Sequence, residues 1–462
     1  MTALQPHEMT VTQAAEAIEQ RSLSPVELMR SLLKRSRDQD PVLRVWETLD
    51  EDAALGAARR SERALSKNQA VGLLHGVPLG VKDIFYTQGV RTSSGSPIYA
   101  DFVPDYDSTA VARLKDQGAI VMGKTVTTEF ASFDPPPTRN PWGLDHTPGG
   151  SSSGSAAGVA ARMFPAALGS QTAGSVLRPA SYNGVVGFKP TLGRISRYGV
   201  FPVSWSVDTL GYFTRSVEDA ALLLDVLAGH DPLDTASSPV PVERYFEGAK
   251  AGIEPPRIGI VRDYFFERAE PGVRSHTERV ASGLADAGAH VEEVRIAADF
   301  DDMLAAHRVV MSVEMAAVHQ AVFETRADDY APHARATIEA GLVIPGITYV
   351  QSQRIRRRFR RSLEKAASAY DILLTPTTAT PAPRDLNTTG DPGFQTPWTT
   401  VGFPTITLPC GLSSNGMPLG LQLAAGRFSE SKLLAAAHWC EAVLRTGAAW
   451  SAPPDRGQGT VR

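Results

Sequence analysis

Two stretches rich in glycine and serine carry the residues best suited to chemistry. They are Gly149-Gly150-Ser151-Ser152-Ser153-Gly154-Ser155 and Gly169-Ser170-Gln171-Thr172-Ala173-Gly174-Ser175-Val176-Leu177-Arg178. Glycine and serine are poor in a helix interior but good where a backbone must approach a ligand closely. The run 156–168 between them is small and Ala-rich, and reads as a buried helix. Two such turns around a tightly packed helix present exposed N–H groups. That surface suits an anion, or an oxyanion that appears during a reaction.

Three other motif matches are discounted. Gly118-Ala119-Ile120-Val121-Met122-Gly123-Lys124-Thr125 fits the phosphate-loop pattern G-x-x-x-x-G-K-T. Its four variable positions are apolar and read as strand, which commits the N–H groups a phosphate would need. Gly150-Ser151-Ser152-Ser153-Gly154 fits the hydrolase elbow G-x-S-x-G, but a Pro-rich loop precedes it where the elbow needs a strand. The downstream histidines, His319 and His438 among them, have no distinctive neighbourhood. Ser362-Leu363-Glu364-Lys365 fits S-x-x-K on a basic, surface-type helix. The ten histidines show no metal spacing, so neither a metal nor a cofactor is expected.

The elements that must position the two turns read as an α/β alternation. Residues 8–66 read as helices, with Thr10 and Ser24 as N-caps and a capping box at Ser24-Pro25-Val26-Glu27. Strand-like texture covers 71–85, a helix 108–117, and a buried parallel strand 119–122. Residues 132–150 form a Pro-rich loop leading into the first serine turn. Further strands are expected at 183–190, 258–261, 371–376, 404–408 and 419–423. Helices are expected at 217–227, opened by Ser216, over most of 273–350, and at 432–444. The basic run from Arg354 to Arg361 reads as a solvated helix face. There is no internal repeat or low-complexity linker, so one large domain over 1–462 is the simplest organisation.

Composition narrows the class. The 462 residues are 42% hydrophobic and 21% charged, with a formal net charge of -4. That is ordinary globular composition, with no sign of a polyanion partner. Cys410 and Cys440 are too few for a disulfide framework and fit a reducing compartment. The first residues have neither a basic n-region nor an apolar h-region, and no apolar run reaches the roughly 18–20 residues of a membrane helix. A soluble, cytoplasmic protein is expected, binding neither nucleic acid nor membrane.

Read together, the fragments resemble the amidase signature family over most of the chain. They are Gly76-Val77-Pro78-Leu79-Gly80-Val81-Lys82-Asp83, Gly123-Lys124-Thr125 with Glu129-Phe130-Ala131, Asn140-Pro141-Trp142, and Pro148-Gly149-Gly150-Ser151-Ser152. The segment 169–178, Gly187-Phe188-Lys189-Pro190-Thr191 and Gly416-Met417-Pro418-Leu419-Gly420-Leu421-Gln422 complete the set, in the family's order. The resemblance implies a large twisted mixed β-sheet covered by helices on both faces. N-terminal helices would occupy 1–70, the catalytic signature core 71–230, a variable and mostly helical pocket region 231–370, and closing strands and helix 371–462. It also implies Ser175 as nucleophile, Ser151 as the bridging serine with a cis peptide bond, and Lys82 as base. Backbone N–H groups of Thr172, Ala173, Gly174 and Ser175 would hold the oxyanion. The interval of 24 residues between Ser151 and Ser175 agrees with the family pattern.

The implied chemistry is coherent. A serine needs a base to take its proton, and lysine serves only when neutral. Burial between Val81 and Ile84 would push Lys82 that way, provided Asp83 points to the other side of its strand. One departure stands out. The family usually has Asp where Gln171 stands, holding the loop with the arginine that corresponds to Arg178. This places the support of the loop in question and weighs against a glutaminyl-tRNA amidotransferase component. The expected activity is hydrolysis of C–N bonds in small apolar or aryl amides, with carbamates (urethanes) or esters as further substrates, through an acyl-enzyme. The alternative is an amidotransferase A-type subunit delivering ammonia to a partner. A non-catalytic binding protein on the same fold is disfavoured by the intact Lys82, Ser151 and Ser175. A homodimer is compatible with this reading. Gly341, Leu342, Val343 and Ile344 read as a mobile apolar loop lining the substrate pocket.

Overall fold

This computed structural model describes residues 4–69, 72–446 and 452–455, and among them eleven strands form one mixed sheet. In chain order they are β1 (Trp46–Leu49), β2 (Pro78–Lys82), β3 (Ile120–Thr125), β4 (Ala167–Gln171), β5 (Val186–Lys189) and β6 (Thr209–Thr214), then β7 (Arg257–Val261), β8 (His290–Val294), β9 (Ile372–Pro376), β10 (Thr405–Leu412) and β11 (Pro418–Ala424). The order across the sheet is β1-β3-β2-β4-β6-β5-β10-β11-β9-β7-β8. The described residues also form fifteen α-helices, and none is long and apolar enough to cross a membrane.

Two parallel groups flank an antiparallel centre. β3, β2 and β4 run parallel on one side, and β9, β7 and β8 on the other. The strands β4-β6-β5-β10-β11-β9 between them pair antiparallel. Every residue of β2, β4, β5, β6, β9 and β11 is buried, as in a sheet covered on both faces.

Local chemistry explains the element starts. Thr10 accepts from Gln13 N and Gln13 answers back, a capping box at the helix Val11–Glu19. Ser24 accepts from Val26 N and Glu27 N at the helix Pro25–Leu43, but Glu27 does not complete a box; the Ser24 hydroxyl instead donates to Glu62. Ser216 caps the helix Val217–Leu227 through Asp219 N.

The sequence reading of 156–168 as one helix is corrected. The helix is Ser153–Ala160; Arg162 then takes a positive φ of 60°, Pro165 follows, and β4 begins at Ala167. The second glycine turn therefore opens inside a strand. The edge strands β1 and β8 and the central β6 also lay outside the sequence reading. No residue of β8 is buried, so no apolar run announces it.

The helix Ser153–Ala160 explains its small residues. A Cβ on Gly154 would stand 2.4 Å from Val45 O and 2.6 Å from Val126 N. Ser155 Oγ donates to Leu168 O at 2.8 Å and lies 2.7 Å from Thr125 Oγ1, which ties this helix to β4 and β3. Gly154→Ala is therefore expected to lower stability by about 1–3 kcal/mol, because the obstructing atoms are backbone and cannot rotate away. Denaturant unfolding checks this, and a variant as stable as the parent would show that the contact yields more easily than the geometry implies.

Candidate active site

The ends of the parallel strands β2, β3 and β4 gather the candidate side chains, in keeping with ligand sites at the carboxyl ends of parallel strands. β2 ends on Lys82 and β3 on Thr125, paired in register, and Val81 pairs with Leu168 of β4. This register sets Lys82 beside Gly169 and Ser170. Lys82 is fully buried at 0% exposure. Its Nζ lies 2.7 Å from Ser151 Oγ and 2.8 Å from Ser170 Oγ. Burial holds the amine well below the ordinary lysine value, with the Asp208 carboxylate opposing.

Asp83 points to the other side of its strand, as alternation requires. Its Oδ1 pairs with Lys124 Nζ at 3.1 Å, and its Oδ2 accepts from Ser93 N at 2.9 Å and Ser93 Oγ at 2.7 Å. Lys124, the lysine of the phosphate-loop match, also donates to Phe85 O and Thr92 Oγ1. It is a sheet residue with its hydrogens committed. The other discounted motifs are equally occupied. Ser152 is buried and exchanges hydrogen bonds of 3.3 Å with Ser170 N and O. His319 pairs with Tyr330 Oη at 3.1 Å and packs on Phe130, and Ser362 donates to Ala297 O.

The first serine turn is held from three sides. The Gly150–Ser151 peptide bond is cis. Arg178 Nη2 donates to Gly150 O at 2.7 Å and Thr389 Oγ1 at 3.2 Å, while Nη1 donates to Gly390 O at 2.8 Å. Asn183 Nδ2 donates to Pro148 O, and Asn140 Nδ2 to Thr147 O and Tyr182 O, which pins the Pro-rich loop to the helix Leu177–Asn183.

The second turn is held by Gln171, without Arg178. Gln171 Oε1 accepts from Val176 N at 2.8 Å and Leu177 N at 3.0 Å. Its Nε2 donates to Thr399 Oγ1 at 2.8 Å, and Thr399 Oγ1 donates to Ala173 O at 2.8 Å. Arg178 makes its bonds to the other turn, so the expected partnership of these two residues is not formed. An uncharged amide suffices because the groups to be held are two N–H donors and one hydroxyl acceptor. The N–H groups of Ala173, Gly174 and Ser175 have no acceptor in the chain among the described residues. Thr172 Oγ1 donates to Asp208 Oδ1 at 2.7 Å, and Asp208 Oδ2 accepts from Val203 N and Ser204 N.

Ser175 is 8% exposed and lines a neck of about 10 Å³ with Thr172, Ala173, Phe133, Val203 and Met311 among others. Two larger cavities meet this neck. One of about 510 Å³ shares Phe133, Ala173 and Met311 with it. The other, about 190 Å³, shares Thr172 and Val203 and reaches Ser170 and Asp208.

Gly341, Leu342 and Val343 are not a loop. They end the helix Pro332–Val343, and Ile344 follows as its C-cap. A Cβ on Gly341 would stand 2.0 Å from Ser312 O, so this glycine serves close packing on the helix Phe300–Arg326. Leu342 and Val343 are 51% and 79% exposed, and none of the four residues lines the neck or its two neighbouring cavities. Sequence reasoning missed Ser170, Asp208, Thr399 and Arg356 as site supports. Only the β2–β4 register could have pointed to Ser170. Arg356 lies in the basic run read as solvated, yet it is buried and donates to Ser206 O and Thr400 O.

Residues 27–434 match the family model described as Amidase. The chain is 35% identical to the A-type subunit of glutamyl-tRNA(Gln) amidotransferase from Geobacter sp. (strain M21), over 93% of this chain and 96% of that one. Among solved structures it resembles a protein from a vestigial complex that reveals the evolutionary origins of an s-triazine catabolic enzyme. That likeness has a TM-score of 0.89 at 30% identity, covering 96% of this chain and 100% of the other. It also resembles the native peptide amidase from Stenotrophomonas maltophilia, with a TM-score of 0.83 at 31% identity, covering 97% and 99%. The mixed sheet, the ordered motifs and these likenesses agree: the chain belongs to the amidase family, the amidase signature enzymes.

Proposed function

We propose that this protein is a free-standing amidohydrolase that cleaves C–N bonds of small, uncharged amides, with carbamates and esters as further substrates, through a Ser175 acyl-enzyme. The observation that carries this reading is the buried contact of Lys82 Nζ with Ser151 Oγ at 2.7 Å. A neutral amine has two hydrogens and one lone pair. With one N–H given to Ser170 Oγ, the lone pair is available to take the Ser151 proton. Ser151 then takes the proton of Ser175, whose Oγ attacks the carbonyl carbon. The negative oxygen is received by the unoccupied N–H groups of the Thr172–Ser175 turn, where one such donor is worth about 3–4 kcal/mol. Ser151 returns its proton to the departing nitrogen, Lys82 reprotonates Ser151, and water repeats the cycle on the ester. A carbamate offers the same carbonyl, and its carbamic acid product loses CO2.

A second reading, an amidotransferase A-type subunit that feeds ammonia to a partner, is supported by the identity to the amidotransferase from Geobacter. The purified chain alone separates the two. It is expected to hydrolyse an apolar anilide or N-aryl carbamate with kcat/KM at least about tenfold above that for glutamine or malonamate. Preference for the charged substrates, or turnover only with added partner proteins, would overturn the hydrolase reading. Ser175→Ala is expected to stay folded and to lose both turnover and fluorophosphonate labelling.

The relay makes a second demand. Lys82→Ala and Ser151→Ala are each expected to cost about 10²-fold or more, and together far less than the product, because members of one relay do not act independently. Steady-state kinetics of the double-mutant cycle check this, and multiplicative losses would remove the relay.

Neutral Lys82 also leaves a thermodynamic trace. Its folded value lies below its unfolded value, so in the window between them the unfolded chain binds one more proton. Stability from this group therefore falls as pH drops through the window and recovers toward the unfolded lysine value. Relative to Lys82→Met, the wild type should gain stability with rising pH by about 1.4 kcal/mol per unit within it. Parallel stability curves from pH 7 to 9 would mean that Lys82 stays charged when buried.

A further inference from the structure

Arg197 ties together two loops that line the 190 Å³ cavity. Its backbone N–H donates to Asp234 Oδ2 at 2.8 Å, and its Nη1 to Trp205 O at 2.8 Å. The loop of Trp205 is pinned again on each side. Val203 N and Ser204 N donate to Asp208 Oδ2, and Ser206 N to Glu314 Oε2 at 2.9 Å. The loop of Leu233 is held by its own turn, where Leu233 N donates to Asp231 Oδ1 at 2.9 Å and Ser237 N to Asp234 O at 2.8 Å.

On these fixed backbones the side chains stand open. Trp205 is 51% exposed and Leu233 62%; with Thr235 they are the exposed part of the lining and mark the mouth. The Trp205 indole has no hydrogen bond or ring contact among the described residues. Tryptophan is highly buried on average, so half an indole left to water on a held loop is unusual. The rest of the apolar wall is Ile84, Tyr198, Val200, Phe201 and Leu210. The rings of Tyr198 and Phe201 are backed by Tyr106 at 5.5 Å and Phe130 at 5.0 Å. The charged groups of the cavity are engaged with the chain, Arg197 with Asp234 and Asp208 with Thr172. A concave apolar wall with a few fixed polar groups, formed before any ligand arrives, suits a flat apolar group.

We propose that the 190 Å³ cavity is the leaving-group site and takes an aryl amine, whose ring lies against Trp205 and Leu233. This rests on the assignment of Ser175 as nucleophile. Ser151 must face the departing nitrogen to return its proton. Ser170 shares Lys82 with Ser151 and lines this cavity, not the larger one. Thr172 and Val203 carry the wall from the neck at Ser175 into it. A ring bonded to the scissile nitrogen therefore extends past Ser170 toward the mouth, and the acyl group occupies the 510 Å³ cavity. Ammonia, the leaving group of a primary amide, has no atoms to place against Trp205 or Leu233. These two side chains thus discriminate by the amine and not by the acid.

The test is a trio of substrates: hexananilide with the ring on the amine, hexanamide with no ring, and an ω-phenyl hexanamide with the ring at the far end of the acyl chain. In Trp205→Ala the ratio of kcat/KM for hexananilide to that for hexanamide is expected to fall by about tenfold or more, through the KM of the anilide. Leu233→Ala should lower the same ratio by about threefold, and it carries the comparison should Trp205→Ala fail to fold. Trp205→Phe, which keeps a ring, should hold the ratio within about threefold of the wild type. The ratio for ω-phenyl hexanamide to hexanamide should stay level throughout. Independently, calorimetric titration of hexananilide into the Ser175→Ala protein should show binding weakened by about tenfold when Trp205→Ala is added. An anilide ratio that stays at the wild-type value, an equal loss on all three substrates, or a loss confined to the ω-phenyl amide would overturn the proposal. Absence of both turnover and fluorophosphonate labelling would sink the hydrolase assignment, and the titrations would still decide on Trp205.

Discussion

The site depends on one constraint: an amine buried with no carboxylate in hydrogen-bond contact, Asp208 acting on it only from a distance. Three lysines lie fully buried among the described residues, Lys82, Lys124 and Lys189. Lys124 has Asp83 at 3.1 Å and is lowered only to about 8. Lys189 gives its hydrogens to the carbonyls of Pro190 and Phe403 and falls to about 7. Lys82 has only two hydroxyls as hydrogen-bond neighbours, and burial holds it well below the ordinary lysine value. Desolvation with no counter-charge in contact favours the neutral form, and only the neutral form has a lone pair to offer. Asp83 is therefore as much a part of the arrangement as Lys82: it is engaged on the far face, with Lys124 and Ser93, instead of neutralising the penalty.

Around this amine, neighbouring hydroxyls, an amide and a guanidinium hold the two turns. Ser152 binds the turns together through Ser170, and Ser155 ties its helix to β4. Arg178 braces the Ser151 turn, and Gln171 gathers the N–H groups just after Ser175. Removing those N–H groups from competition leaves the preceding ones free. The division of labour between a guanidinium for one turn and a neutral amide for the other explains how the site tolerates Gln171.

The variable helices reach the same loop by a different path. Glu314 on the helix Phe300–Arg326 accepts from Ser204 Oγ at 2.5 Å, from Ser206 N at 2.9 Å and from Tyr349 Oη at 2.7 Å. Residues 203–204 in turn donate to Asp208, which receives Thr172. Arg356 closes the path by bonding Ser206 O and Thr400 O. A carboxylate on one helix thus fixes the loop that holds the first residue of the second turn. That helix also supplies Met311 to the neck and His307 to the cavity.

Sequence alone determined whatever local chemistry governs. The α/β alternation, the caps at Thr10 and Ser216, the rejection of the phosphate loop on its apolar strand, and the turn of Asp83 to the opposite face from Lys82 all follow from neighbours within a few residues. The ordered motifs identified the family, because each fragment encodes a tight turn or close contact that few other residues permit. Tertiary structure decided the rest. Ser170 became a partner of Lys82 only through the register of β2 with β4, which spans 88 residues of sequence. Gln171 reaches Thr399 across 228 residues, and Arg178 reaches Gly390 across 212. The Gly341 stretch looked like a loop because its residues are apolar and bracketed by glycine. It is helical because Gly341 lets that helix close against Ser312, a contact no periodicity announces. Hydrogen bonds over such separations depend on where the sheet brings its strand ends together, and that placement belongs to the packed sheet as a whole.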